Sequence, residues 1–209
     1  MMFKITNEPT NWRYLGIVAL FGIAAAGLIV YSFKKYEIAE PVIMKKEIKP
    51  VYLSLSADKA SINLNELVKV TVLLDSLSEK NVGTDVILNY DPEFLEIQPV
   101  SSAVKTKKQI KDEVLEPKNY LDTTASFFNI FPYLRVNNLV GSIIFSALAN
   151  PSEEVSGKGS VATLIFKAIK KGNVKIDISF KSGSSVDSNV AYMGRDILTG
   201  VSGVELNIK

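Results

Sequence analysis

The chain has 209 residues, with 24 Lys or Arg against 22 Asp or Glu, a formal net charge of +2, no His and no Cys. Without His and Cys there is no Ser-His-Asp triad, no Cys-His pair, no disulfide and no zinc site built on nitrogen or sulfur ligands. The even charge balance argues against a nucleic-acid partner, and any catalysis would have to rest on carboxylates, Lys or Tyr.

The first feature in chain order is an uncharged stretch from Leu15 to Phe33 (LGIVALFGIAAAGLIVYSF), framed by Arg13 before it and Lys34-Lys35 after it. Nineteen residues wound as a helix at ~1.5 Å per residue span about 28 Å, close to the ~30 Å hydrocarbon core of a bilayer. Trp12 and Tyr14 on one side, and Tyr31, Phe33 and Tyr36 on the other, place amphipathic rings where an interfacial belt would sit. A cleaved signal peptide is the competing reading, with Ala24-Ala25-Ala26 as its small-residue site. The apolar run continues past those alanines through Leu28, Ile29 and Val30 to a basic stop, so residues 15–33 are read as an uncleaved, single transmembrane helix behind a short flank at 1–14. Residues 34–49 are rich in Lys and Glu, with Pro41 inside and Pro50 just beyond, which is the composition of a stalk.

From residue 50 to 209 the pattern turns to short runs of period two, with about 160 residues available for one core. VYLSLS (51–56), LVKVTVLLD (67–75), TDVILNYD (84–91), FLEI (94–97), GSIIFSALA (141–149), VATLIFKAI (161–169), NVKIDISF (173–180) and GVELNIK (203–209) each end at turn residues such as Asp91-Pro92, Asn150-Pro151 or Gly172-Asn173. These runs predict an all-β fold, an antiparallel, jelly-roll-like β-sandwich of about nine strands. In 84–91, Val86, Leu88 and Tyr90 share one face, and Asp85, Ile87 and Asn89 the other. Pro92 closes the strand, since proline cannot donate to a ladder and biases Asp91 towards extended geometry.

Residues 104–138 are irregular. They open with Lys105, Lys107, Lys108 and Lys111 against Asp112, Glu113 and Glu116, the composition of a solvated loop or short helical face. They close with an aromatic group, Tyr120, Phe127, Phe128, Phe131 and Tyr133. An exposed row of such rings would stack on sugars, making the domain a carbohydrate-binding module that takes polysaccharide. A lid buried over one end of the sandwich is the other reading.

Four segments resemble the cohesin domain of bacterial surface and cellulosome proteins: ASINLNELVKVTVLLDS (60–76), VGTDVILNYDPEFLEI (82–97), GSIIFSALANP with GKGSVATLIFKAIKKGNVKIDI (157–178), and SSVDSNVAYMGRDILTGVSGVELNI (184–208). The second carries the strand closed by Tyr-Asp-Pro that is most recognisable in that family. The resemblance implies that one sheet face, including the strand before Tyr90, receives a dockerin, a small calcium-loaded helical module. By position Asp85 matches a polar contact residue of that strand, with Ile87 and Asn89 beside it. Gly83 departs from the family's neighbouring polar position. On the strand from Ile143 to Ala149 the outward positions are Ile144, Ser146 and Leu148. The expected partner face is therefore Asp85, Ile87, Asn89, Ser146 and Leu148, in a binding module that is not an enzyme and needs no cofactor.

Weaker signals point nowhere specific. Asp177, Asp187, Asn189 and Asp196 are oxygen donors without calcium-loop spacing, so no metal site is assigned. Glu153-Glu154 are adjacent in a turn rather than paired across a cleft, and Gly157-Lys158-Gly159-Ser160 leads into a strand rather than a helix. Two signals bear on topology. Lys4 and Arg13 precede the apolar run, whereas Lys34, Lys35, Lys45, Lys46 and Lys49 follow it, a count that by itself would put the sandwich in the cytoplasm. The resemblance to exported modules implies the reverse: a cell-membrane protein, single-pass, with its sandwich extracellular.

Overall fold

The structure is a computed structural model, and it describes residues 49–100, 110–184 and 186–209. The expected membrane helix, its flank and nearly all of the stalk, together with Lys105, Lys107 and Lys108, lie outside the described residues. Among the described residues no helix is long and apolar enough to cross a membrane.

The β-rich unit runs from Glu47 to Lys209. Its elements are β1 (Val51–Ala57), β2 (Ser61–Ile62), β3 (Leu67–Asp75), β4 (Gly83–Tyr90), β5 (Leu95–Gln98), β6 (Asp112–Val114), the one-turn helix α1 (Pro117–Tyr120), β7 (Ile130–Asn137), β8 (Ser142–Leu148), β9 (Lys158–Ala168), β10 (Gly172–Ile178), β11 (Asn189–Tyr192), β12 (Arg195–Asp196), β13 (Leu198–Ser202) and β14 (Val204–Ile208). They form two sheets, one ordered β13-β1-β3-β9-β5 and the other β2-β14-β10-β4-β8-β7-β6, with the β11–β12 hairpin attached beside the first half of β4. The sandwich class is as expected, with more strands than the expected nine and two parallel pairings, β1 with β13 and β14 with β2.

Alternation explains the layers. In β3, Val68, Val70, Val72 and Leu74 are fully buried; facing them from the other sheet are Val86, Leu88, Ile143, Phe145, Leu134 and Val136, also buried. Each such side chain contributes ~1.5–3 kcal/mol relative to exposure, so the inner faces hold the sheets together in a chain that has no cysteine for a disulfide. Tyr90 of β4 meets Phe166 of β9 edge to face, ring centroids 5.3 Å apart and planes at 64°, across the two layers.

The Tyr90-Asp91-Pro92 corner is built as its sequence requires. The Glu93 N–H donates to the Asp91 carboxylate at 2.9 Å, and the Phe94 and Leu95 N–H groups donate to the Asp91 carbonyl at 3.1 Å. Opposite it, the Tyr90 N–H donates to the Gly141 carbonyl at 2.8 Å. Gly141 has φ +67°, and a Cβ there would lie 1.8 Å from the Tyr90 carbonyl oxygen, so only glycine fits.

β7 is a longer strand whose first half the sequence pattern concealed. Its register with β8 shifts between Ile130 and Tyr133, around Pro132, so the strand enters through a bulge and settles into alternation only from Tyr133 onward.

Candidate docking face

The outward face of β4, β8 and β7 is fixed by register. Asp85 stands opposite Ser146, which stands opposite Tyr133; Ile87 stands opposite Ile144, which stands opposite Arg135. Asn89 faces Ser142 on one side and Asp177 of β10 on the other. Gly83 is paired with Leu148, and Leu148 with Ile130. All five residues expected at a partner face, Asp85, Ile87, Asn89, Ser146 and Leu148, thus share one surface, exposed or half-buried while their strand neighbours are buried.

Asp85 is held from both sides. The Ser146 hydroxyl donates to its Oδ1 at 2.5 Å, and the Asn189 amide donates to its Oδ2 at 3.0 Å. Asn189 reaches it because β11 pairs with β4 in a register that sets Asn189 opposite Asp85. Both donors are neutral, so the carboxylate is positioned without its charge being paired by them.

The departure at Gly83 has a steric cause. A Cβ there would lie 2.6 Å from a methyl of Leu148 and 3.0 Å from the Ala147 carbonyl. That space is filled by an apolar side chain from β8, Leu148, 41% exposed, beside Ile130, 37% exposed. The rim of the face is charged. Arg135 grips Asp112 of β6 with two bonds, Nε to Oδ1 at 2.8 Å and Nη2 to Oδ2 at 2.7 Å, and Lys175 pairs with Asp177 at 2.9 Å. The Asp112 carboxylate raises the guanidinium pKa, and the guanidinium holds that carboxyl below its usual range.

The aromatic group does not form a row. Tyr120 and Phe128 are buried, and Phe127 and Phe131 are half-buried and packed against the core. The cause is local: residues 122–128 run along the β9 edge beyond β5, with the Asp122 N–H donating to the Thr163 carbonyl and the Phe127 N–H to the Ser160 carbonyl, both at 2.9 Å. That path brings the Phe127 ring over Gly159, where a Cβ would sit 2.2 Å from the ring. Tyr133 parts from the others and joins the β4–β8–β7 face opposite Ser146. Of the two readings of this group, the burial favours a core lid over an exposed sugar-stacking platform, with one tyrosine on the face.

Of the four oxygen donors weighed for calcium, Asn189 belongs to the Asp85 network. Asp187 accepts from the Lys181 N–H, Asp196 accepts from the Val190 and Leu198 N–H groups at 3.0 Å each, and Asp177 pairs with Lys175. They tie loops together, and among the described residues no three acidic side chains converge. Glu154 pairs with Lys80 at 2.6 Å, and Glu153 accepts from the Asn150 amide at 3.0 Å.

Sequence reasoning missed Asn189, Tyr133 and Arg135 as members of this face. For the last two a signal was present, since Leu134 and Val136 alternate with Tyr133, Arg135 and Asn137. For Asn189 there was none, because its contact lies 104 positions away along the chain.

The description of the cohesin domain fits residues 53–199, most of the chain. The chain belongs to the cohesin family. No curated protein matches it. Solved cohesins share its fold. The second type II cohesin module of the adaptor scaffoldin ScaA from Acetivibrio cellulolyticus superposes with a TM-score of 0.59 at 18% identity, covering 77% of this chain and 91% of that one. A type II cohesin in a cohesin–X–dockerin complex from the same organism gives 0.57 at 16% identity, over 76% and 99%. Type II cohesin A11 from Bacteroides cellulosolvens gives 0.53 at 17% identity, over 76% and 99%. At these identities the likeness is one of fold.

Proposed function

We propose that this cohesin is a docking module whose β4–β8–β7 face receives a small, dockerin-like protein partner, and that the apolar run 15–33 holds it at the outer surface of the cell membrane. Cohesin domains are protein-binding modules rather than enzymes, and one of the relatives of like fold was solved with a dockerin. The observation that carries the reading is the Asp85 network. An outward carboxylate fixed by Ser146 and Asn189 amid Ile87, Ile144, Leu148 and Tyr133 is a pre-ordered polar centre in an apolar surround, so little side-chain freedom is lost on binding.

The test is calorimetric titration of the full chain, in nanodiscs, with the dockerin modules encoded by the same organism. Saturable binding that Asp85→Lys abolishes, with folding unchanged, supports the reading. A correctly folded protein that binds none of them ends it. For localisation, protease added to intact spheroplasts removes an exported sandwich and leaves a cytoplasmic one whole.

A further inference from the structure

The end of the sandwich where the chain enters carries a second surface. Lys49 leads into β1 there, and its ammonium donates to the Ser78 hydroxyl at 2.9 Å in the loop between β3 and β4. That loop is tied to the β11–β12 hairpin by the Val82 N–H, which donates to the Ala191 carbonyl at 2.9 Å, and to the β8–β9 loop by the paired backbones of Asn81 and Val155. Three loop tips therefore sit at this end.

Each tip bears a residue in the left-handed region: Leu77 at φ +51°, Met193 at φ +48° and Ser152 at φ +70°. For Leu and Met this conformation is disfavoured, because Cβ crowds the following carbonyl where Gly or Asn would sit without strain. Burial does not compensate: Leu77 is 49% and Met193 77% exposed. Strain and exposure coincide in two apolar side chains on neighbouring loops, which is the combination expected of a contact made with something outside the fold. The opposite end is different. Leu139 and Val140 are each 68% exposed there, yet neither is left-handed, and Gly141 carries the positive φ of that turn.

We infer that Leu77 and Met193 rest in the headgroup layer of the membrane that the apolar run 15–33 enters. The inference rests on the anchoring reading above. Residues 34–48 bound the distance, since fully extended they reach only about 50 Å. A tether of that length keeps the entering end at high effective concentration near the bilayer, so two shallow apolar tips suffice where they could not hold an untethered domain. The charges facing this end are compatible with contact at the headgroups. Glu154 is paired with Lys80 and Arg195 follows the Met193 turn, while Asp75 accepts from the Leu77 N–H at 3.1 Å and Glu153 from the Asn150 amide, each keeping its charge.

The chain has no cysteine, so single labels are clean. Full-length Leu77→Cys, Met193→Cys and, as the control at the far end, Val140→Cys are labelled with an environment-sensitive fluorophore. They are reconstituted in phosphatidylcholine–phosphatidylglycerol vesicles containing headgroup spin-labelled lipid. Flotation reads the anchor, and quenching reads the contact. The inference expects all three to float, with strong quenching and a blue shift at 77 and 193 and neither at 140. A chain that floats with 77 and 193 no more quenched than 140 overturns the contact and leaves the anchor standing. A chain that does not float overturns both, and a blue shift without lipid quenching that appears only when a protein partner is added assigns the tips to that partner instead. A label at Ser152→Cys, on the third tip, adds a reporter independent of the Leu77 and Met193 side chains. Changing Leu77 and Met193 together to Asn should abolish its quenching without lowering the melting temperature, because Asn accepts the left-handed conformation.

Discussion

The β4–β8–β7 face and the segment from Tyr120 to Tyr133 were both candidate binding surfaces, and the fold treats them in opposite ways. On the face, alternation sends Val86, Leu88 and Tyr90 inward and leaves Asp85, Ile87 and Asn89 to solvent, so its polar residues are displayed. In the aromatic segment no alternation operates until Tyr133, and the chain runs along the β9 edge, so its rings turn into the sandwich. Surface display in this protein follows from strand register rather than from side-chain type. Aromatic density marked where the core needed closing.

Phe128→Ala should break the comparison most heavily. Phe128 is among the largest fully buried side chains, and its removal leaves a cavity that the surrounding edge cannot close, with a loss of ~3–5 kcal/mol. Chemical denaturation checks this through a lower midpoint at unchanged m-value. A variant as stable as the wild type would mean that the aromatic segment is a surface after all.

Gly159→Ala probes the same lid from beneath. Its Cβ would sit 2.2 Å from the Phe127 ring, so the ring must move, at ~1–3 kcal/mol of overpacking. Combined with Phe127→Ala the clash disappears, and the pair should be less destabilised than the sum of the two single changes. A double-mutant cycle measures that coupling.

These two cases show what the sequence made legible. Period-two runs with proline and glycine stops located most of the long strands, and Tyr90-Asp91-Pro92 fixed the outward set on β4. The short strands β2, β6, β11 and β12 have two to four residues each, too few for a period to register. The first half of β7 was hidden by its bulge around Pro132. The core role of Tyr120 and Phe128 follows from the bridges of Asp122 to Thr163 and Ser126 to Ser160, pairings across more than thirty positions that no local pattern announces.

Tyr90→Phe sharpens the boundary between face and core. The ring should keep its edge-to-face contact with Phe166 and lose only the hydroxyl donated to Asn138, about 0.5–1.5 kcal/mol. Burial also pushes the Tyr90 phenol above its ordinary value. The folded state disfavours the phenolate, so this contribution is complete below the unfolded value near ~10 and is lost as pH rises beyond it towards the folded one. Removing the phenol should therefore lessen the alkaline destabilisation, which denaturation midpoints at neutral and alkaline pH will compare. An identical alkaline loss in both proteins would place its origin elsewhere.

Asp85→Lys should have the smallest effect on stability and the largest on docking. The carboxylate is exposed, and the Ser146 hydroxyl and Asn189 amide that it releases can turn to water, so folding should change by no more than about 0.5–1 kcal/mol. At the centre of a docking face the same change reverses a charge and places a long, mobile side chain across Ser146. Asp85→Asn separates these two consequences: it keeps the size and an oxygen acceptor for Ser146 while removing the charge. If the partner reads charge, both variants lose binding. If it reads shape and hydrogen bonding, Asn retains most of the affinity and Lys does not. Should both bind as the wild type does, β4 lies outside the partner's footprint, and the surface displayed by register is then only a solvated sheet, no more a binding site than the aromatic lid that packs into the core.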